Sequence, residues 1–140
     1  MIILDTNVIS ALMTPEKAPD VAEWVSSLDE FCTTAITTQE VTQGIMPLPE
    51  GKRKRALLAV ADAVFAPLHD AGRVLPYDYR AAVCYAHLME KRPVPGVSEI
   101  FDAQISAIAL LHSATVATRQ VKDFQGRGFA VFDPWTRKTH

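Results

Sequence analysis

The chain opens on four apolar residues, Met1-Ile2-Ile3-Leu4, which stop at Asp5 and pass straight into Thr6-Asn7-Val8-Ile9-Ser10-Ala11-Leu12. A short apolar run that ends in an acid and turns at once into a helical pattern reads as a buried strand. Such a strand delivers its carboxylate to the carboxyl edge of a sheet, where ligands bind in open α/β folds. A second run, Ala114-Thr115-Val116-Ala117, leads through Thr118-Arg119-Gln120-Val121-Lys122 to Asp123. Two carboxylates brought to one edge from opposite ends of the chain point to a metal site.

The alternation of short strand and helix continues along the chain. Strands are expected at 2–4, 31–36, 74–75, 114–117 and 129–132, the second of them rich in β-branched residues. Helices are expected at about 7–13, 19–28, 37–44, 52–66, 78–90 and 98–112. Val21, Trp24, Val25 and Leu28 fall at helical spacing, and Leu57, Val60, Ala61, Val64 and Phe65 mark the buried stripe of the helix that follows Gly51. Thr37 and Glu40 make the Thr-x-x-Glu signature of a helix start. This order predicts an α/β domain with a mostly parallel sheet. The connectors around Pro47 and Pro49, and around Pro93 and Pro95, are too short to separate domains, so residues 1–140 are expected to form one.

Bulk properties narrow the function. A chain that is 49% hydrophobic and 21% charged is that of an ordinary globular domain. Its net charge of −2 gives no long-range attraction for nucleic acid. Phosphate binding must come from a local basic patch or from cations held by acids. The longest apolar run, Ile105 to Leu111, contains Ser106 and is too short to span a bilayer. Because Asp5 interrupts the apolar start, no leader is expected in this stretch. Cys32 and Cys84 have no metal or redox spacing, which predicts core thiols in a reduced, cytoplasmic setting. His69, His87, His112 and His140 have no ligand spacing, and zinc-protease, hydrolase-elbow and nucleotide-loop patterns are absent.

Four acids stand at places of interest: Asp5, Glu40, Asp102 and Asp123. Oxygen ligands of this kind suit Mg²⁺ or Mn²⁺. Each also has a plain structural explanation. Asp5 is a good cap for the helix after it, and Glu40 is a natural partner of Thr37 in a capping box. Asp102 near a helix start favours the helix dipole, although Ile100, Phe101, Ile105 and Ile108 make that helix mostly buried and a carboxylate there needs a partner. Asp123 stands before Phe124 in an expected loop. Spacing alone does not select these four from the sixteen acids.

A resemblance does select them. Ile3-Leu4-Asp5-Thr6-Asn7-Val8, Thr37-Thr38-Gln39-Glu40-Val41 with Gly44, and Phe101-Asp102-Ala103-Gln104-Ile105 with Ala107-Ile108-Ala109 occur in that order. They are followed by Thr118-Arg119-Gln120-Val121-Lys122-Asp123-Phe124 and Val131-Phe132-Asp133-Pro134-Trp135. Together these segments resemble the PIN-domain ribonucleases, and within them the VapC and FitB toxins of bacterial toxin–antitoxin pairs. The resemblance implies a PIN-like α/β/α sandwich and a metal-dependent endoribonuclease. Asp5, Glu40, Asp102 and Asp123 would then hold one or two Mg²⁺ or Mn²⁺ ions. Thr118 would orient a water or an acid, and Thr6 and Asn7 would shape the loop around Asp5. It also implies an RNA substrate, a small cognate antitoxin and a homodimer. Gln120 departs from the pattern, standing where many relatives have Asn or an acid.

Among the basic residues, Arg119, Lys122 and Arg127 flank the expected catalytic loop and are the candidates for substrate contact. Lys52-Arg53-Lys54-Arg55 is the densest positive run, read either as the solvated first turn of a helix or as a contact for phosphates. Two other readings remain open. One is a PIN-like interaction module without activity. The other is a phosphatase with Asp5 as nucleophile, which requires a second acid where Asn7 stands.

Overall fold

The computed structural model describes residues 1–91 and 94–140. Pro93, in the second expected connector, lies outside the described residues. Strand β1 (Ile2–Leu4) is followed by helix α1 (Thr6–Met13), a 3₁₀ turn at Pro15–Lys17 and helix α2 (Pro19–Ser26). Next come β2 (Thr33–Thr34), α3 (Ala35–Ile45), α4 (Lys52–Asp70) and β3 (Val74–Leu75). Helices α5 (Tyr79–Leu88) and α6 (Val97–Leu111), strand β4 (Thr115–Ala117), the one-turn α7 (Val121–Phe124), β5 (Val131–Asp133) and β6 (Lys138–Thr139) complete the order.

Strands β1, β4 and β5 pair in parallel, and β6 adds an antiparallel edge against β5. The parallel pair β2–β3 joins the other side of β1 through a bridge between Ile3 and Cys32, with Leu4 N–H donating to Cys32 O and Cys32 N–H to Ile2 O. Across the molecule the strands therefore run β3-β2-β1-β4-β5-β6. The chain moves outward from β1 to β3, then crosses back to β4. That reversal puts the switch point between β1 and β4, where an open sheet forms a crevice at its carboxyl edge.

Successive side chains of a strand face opposite ways, and this divides the core into two layers. Ile3, Val116 and Val131 pack with Ile105, Ile108 and Ala109 of α6 and with Phe124. Leu4 and Ala117, one residue further along, pack with Val8, Ile9, Val21, Trp24, Val41 and Phe65 of α1–α4. Helices thus cover both faces of a mixed, mainly parallel sheet, as an α/β/α sandwich requires. Trp24 stacks against Phe132, ring centroids 4.9 Å apart.

Several local expectations need correction. The strand expected from Phe31 to Ile36 is only Thr33–Thr34, because Thr34 already caps a helix beginning at Ala35. The Thr34 hydroxyl accepts from the Thr37 amide at 3.1 Å, so Thr37 and Glu40 are not a capping box. The helix expected to stop at Ala66 continues through Pro67 to Asp70. Proline there removes one hydrogen bond near the C-terminus, which the preceding turns tolerate. Val60 is 37% exposed, outside the buried stripe that Ala61, Phe65 and Leu68 form. Asp123 lies on α7 rather than in a loop, and β6 had no recognisable sequence signal. Cys32 is buried, whereas Cys84 is only partly covered. Among the described residues, no helix is long and apolar enough to cross a membrane.

Candidate metal and nucleic-acid site

Asp5 directly follows β1 and Thr118 directly follows β4, so the two flank the switch point. Asp5 is 2% exposed and Thr118 is fully buried. The Thr118 hydroxyl donates to Asp5 Oδ2 at 2.8 Å. Asn7 Nδ2 lies 3.1 Å from the same oxygen and 3.0 Å from Thr118 Oγ1. Asn7 Oδ1 in turn accepts the Arg119 amide at 3.0 Å, and the Gln120 amide donates to Thr118 Oγ1 at 3.0 Å. One amide side chain therefore clamps the loop after β1 to the loop after β4. An acid at position 7, as an aspartyl-nucleophile phosphatase requires, would supply neither of the donors that Asp5 and Thr118 use here.

Glu40 comes from the middle of α3. The Thr6 hydroxyl donates to Glu40 Oε1 at 2.9 Å, and it also lies 3.3 Å from the buried Thr37 hydroxyl. The residue that looked like a helix-start signal thus serves as a link in a threonine chain, Thr34–Thr37–Thr6, leading to Glu40. Asp102 projects from the second turn of α6. A cavity of about 530 Å³ is lined by Asp5, Thr6, Asn7, Glu40, Asp102, Arg119, Gln120 and Trp135 among others. A neighbouring cavity of about 650 Å³ shares Glu40, Asp102 and Gln120 and adds Lys122, Asp123 and Arg127. The structure thus brings all four acids to one cleft, with Asp5 at its buried end and the exposed Asp123 at its rim.

The electrostatics of this cleft are unfavourable to ionised acids. The Asp5 carboxyl is pushed up to about 6, first by burial; hydrogen bonds from Thr118, the Thr6 backbone and Asn7 oppose the shift, and the charge of Glu40 adds to it. Asp102 is raised to about 7 by burial and by the charges of Asp5, Asp123 and Glu40, against the pull of Arg127. Burial also raises Glu40, and the Thr6 hydroxyl opposes that shift. Desolvation and like charge both disfavour the anionic forms, and a bound cation reverses both effects.

The donor set fits a hard cation: carboxylates and hydroxyls, without thiol or imidazole. Among the described residues, no three acidic, histidine or cysteine side chains stand close enough to form a ready-made metal cage. Asp5, Glu40 and Asp102 line one cavity, and Asp123 lines the adjoining one with Glu40 and Asp102.

Four features escaped the sequence reading. Ser106, fully buried, accepts from Arg127 Nη1 at 3.0 Å and donates to the Asp102 carbonyl at 2.7 Å, tying a cation to the Asp102 turn. Glu99 joins the outer cavity one helical turn before Asp102, a spacing visible in the sequence. Trp135 lines the inner cavity, and the Arg119 guanidinium lies over its ring at 5.3 Å. The fourth is Lys54. It is buried and paired with Glu50 at 2.6 Å rather than solvated, and none of Lys52, Arg53, Lys54 or Arg55 lines either acidic cavity.

Comparison with known proteins agrees with this architecture. The PIN domain family matches residues 2–125. Toxin FitB of Neisseria gonorrhoeae is 40% identical over 139 residues, covering 96% of this chain and 99% of that protein. VapC ribonuclease Y4jK of Sinorhizobium fredii is 36% identical over 138 residues, covering 96% and 98%. The crystal structure of FitAcB from Neisseria gonorrhoeae superposes with a TM-score of 0.81 at 37% identity, covering 96% of this chain and 99% of that one. With a family match across most of its length and relatives aligned nearly end to end, the chain belongs to the PIN-domain family.

Proposed function

We infer that this protein is a metal-dependent endoribonuclease and the toxin of a cytoplasmic type II toxin–antitoxin pair, with residues 1–140 acting as one unit. The observation that carries the reading is the convergence of Asp5, Glu40 and Asp102 from three separate elements on one cleft, each with its pKa raised. Carboxylates held under repulsion at a sheet's carboxyl edge have a use if cations neutralise them and phosphate follows. The similar proteins named Toxin FitB and VapC ribonuclease support the same class.

Asp5, Glu40 and Asp102, with Asp123 at the rim, would hold Mg²⁺ or Mn²⁺. When bound, such ions acidify a water and stabilise the leaving oxygen of a phosphodiester. The chain's own part is positional. Thr118 and Asn7 fix the Asp5 carboxylate through one oxygen, and Thr6 fixes Glu40 through another. Arg127 balances Asp102 from the outer cavity. Arg119 and Lys122, on the loop and helix beside the acids, would hold the RNA phosphates, giving affinity rather than base choice. In the net reaction the oxygen of water forms the new bond to phosphorus, the bond to one ribose oxygen breaks, and that oxygen takes up a proton. A small antitoxin covering the cleft would silence this activity, and the toxin would act as a homodimer.

RNA cleavage with added Mg²⁺ or Mn²⁺ tests the reading. Cleavage is expected to stop in EDTA and to fall by at least about a hundred-fold in Asp102→Asn. Cleavage that persists in Asp102→Asn overturns it. A wild-type protein that binds its antitoxin but cuts no RNA would instead make it an inactive interaction module.

A further inference from the structure

Trp135 has no part in the acid chemistry, yet it forms a wall of the cavity that contains Asp5, Glu40 and Asp102. It is also not a fully enclosed core residue. It packs against the layer of Leu4, Trp24 and Phe65 while keeping part of its surface exposed. The other tryptophan, Trp24, is buried against Phe132 and supplies the core packing in that region. Trp135 is held in place from its backbone: Asp133 Oδ1 accepts the Trp135 amide at 2.8 Å, as a turn after β5.

Arg119 lies over this ring, its guanidinium carbon 5.3 Å from the centroid. Among the described residues, no carboxylate forms an ion pair with Arg119. Its backbone amide is fixed by Asn7 Oδ1, and Asn7 is the same side chain that holds Asp5 and Thr118. The Arg119–Trp135 pair is therefore set at a defined place relative to the acids through one clamp. A planar cation resting on an indole, at the edge of a cleft suited to a phosphodiester, presents the surfaces on which unpaired nucleobases stack.

Resting on the ribonuclease reading, we propose that Arg119 and Trp135 form a nucleobase subsite that stacks one unpaired base of the RNA next to the phosphate held at the acids. A paired base is not free to enter this subsite. The site tolerates all four bases, since each has a π-face. Arg119 acts here through its flat guanidinium, a shape lysine lacks despite its equal charge.

The test is equilibrium binding of single-stranded RNA pentanucleotides to the full chain, read by fluorescence anisotropy with Ca²⁺ in place of Mg²⁺. An abasic residue is walked through the ligand, and wild type is compared with Trp135→Ala, Trp135→Phe and Arg119→Lys. Removing one particular base should weaken wild-type binding by roughly five- to 150-fold, the range for loss of one base–aromatic stack. The same abasic ligand should lose no further affinity in Trp135→Ala, Trp135→Phe should stay near wild type, and Arg119→Lys should lose much of the preference. Arg119 is exposed, so that variant keeps the test valid if Trp135→Ala folds poorly. Equal losses at every abasic position, or losses that add in full to that of Trp135→Ala, overturn the subsite while leaving the ribonuclease reading intact. Wild type that binds no single-stranded RNA at all overturns both.

Discussion

At the scale of single residues, Asp5 concentrates the conflict that defines the site. Its side chain is 2% exposed, yet it carries an ionisable group whose charge is opposed by burial and by Glu40. Because the folded carboxyl is raised from 3.8 to about 6, the fold favours the protonated form. The stability this gives is fully present below the unfolded value and is lost as pH rises through the folded one. The cost of ionising Asp5 in the folded, metal-free protein is about 3 kcal/mol. Metal-free protein is therefore expected to melt at higher temperature at pH 5 than at pH 8, and Mg²⁺ or Mn²⁺ should restore stability at the higher pH. Asp5→Asn removes the charge while keeping the shape, and should reduce this dependence, leaving the part that Asp102 and Glu40 contribute. Melting curves in EDTA across that range check it; an unchanged slope in Asp5→Asn would show that Asp5 is not among the titrating groups.

At the scale of elements, α3 joins fold and site in one hydrogen-bonded line. Thr34 caps it through the Thr37 amide, and the Thr37 hydroxyl sits between those of Thr34 and Thr6. Thr6 then reaches Glu40. The helix is thus started and its acid positioned by threonines that share a buried path. Thr34→Ala should cost about 1 kcal/mol as the loss of a helix cap, measured by urea unfolding. It should also lower cleavage, since Thr37 loses the neighbour that holds it toward Thr6. A stability loss with unchanged kcat would show that the line ends at the cap and does not reach the acid.

Across the whole molecule, the net charge of −2 conceals a separation of roles. Arg119, Lys122 and Arg127 stand around the acidic cavities, whereas Lys52, Arg53 and Arg55 lie on α4 and line neither. Removing Lys122 should weaken RNA binding and reduce the salt slope by about 0.7, the value for one contact to single-stranded phosphate. Charge reversal at Arg53 should leave cleavage within about twofold of wild type, as expected of a surface substitution away from the site. A salt titration of binding for both variants separates them. Equal loss in the two would mean that RNA wraps onto α4.

The sequence by itself determined an α/β domain with a mostly parallel sheet, because short apolar runs alternate with amphipathic helical patterns; the α/β/α layering was reached through the resemblance. The sequence also marked acids: Asp5 at a strand end, and Asp102 as a charge on an otherwise apolar helix, are local conflicts that composition makes visible. Asp123, like Asp5, follows a short apolar run toward the same sheet edge, whereas Glu40 was named only through the resemblance, which also selected these four from the other acids. Tertiary structure alone decided the rest. Thr34 rather than Thr37 begins α3 because the pairing of β2 with β3 ends there, and that pairing joins residues about forty positions apart. Asn7 meets Thr118 across a separation of 111 residues, and Trp135 meets Arg119 only after β5 has returned beside β4. Local patterning fixes which face of an element is apolar; which polar groups then share a cleft depends on strand order, and strand order is set by long-range packing that no short window of residues contains.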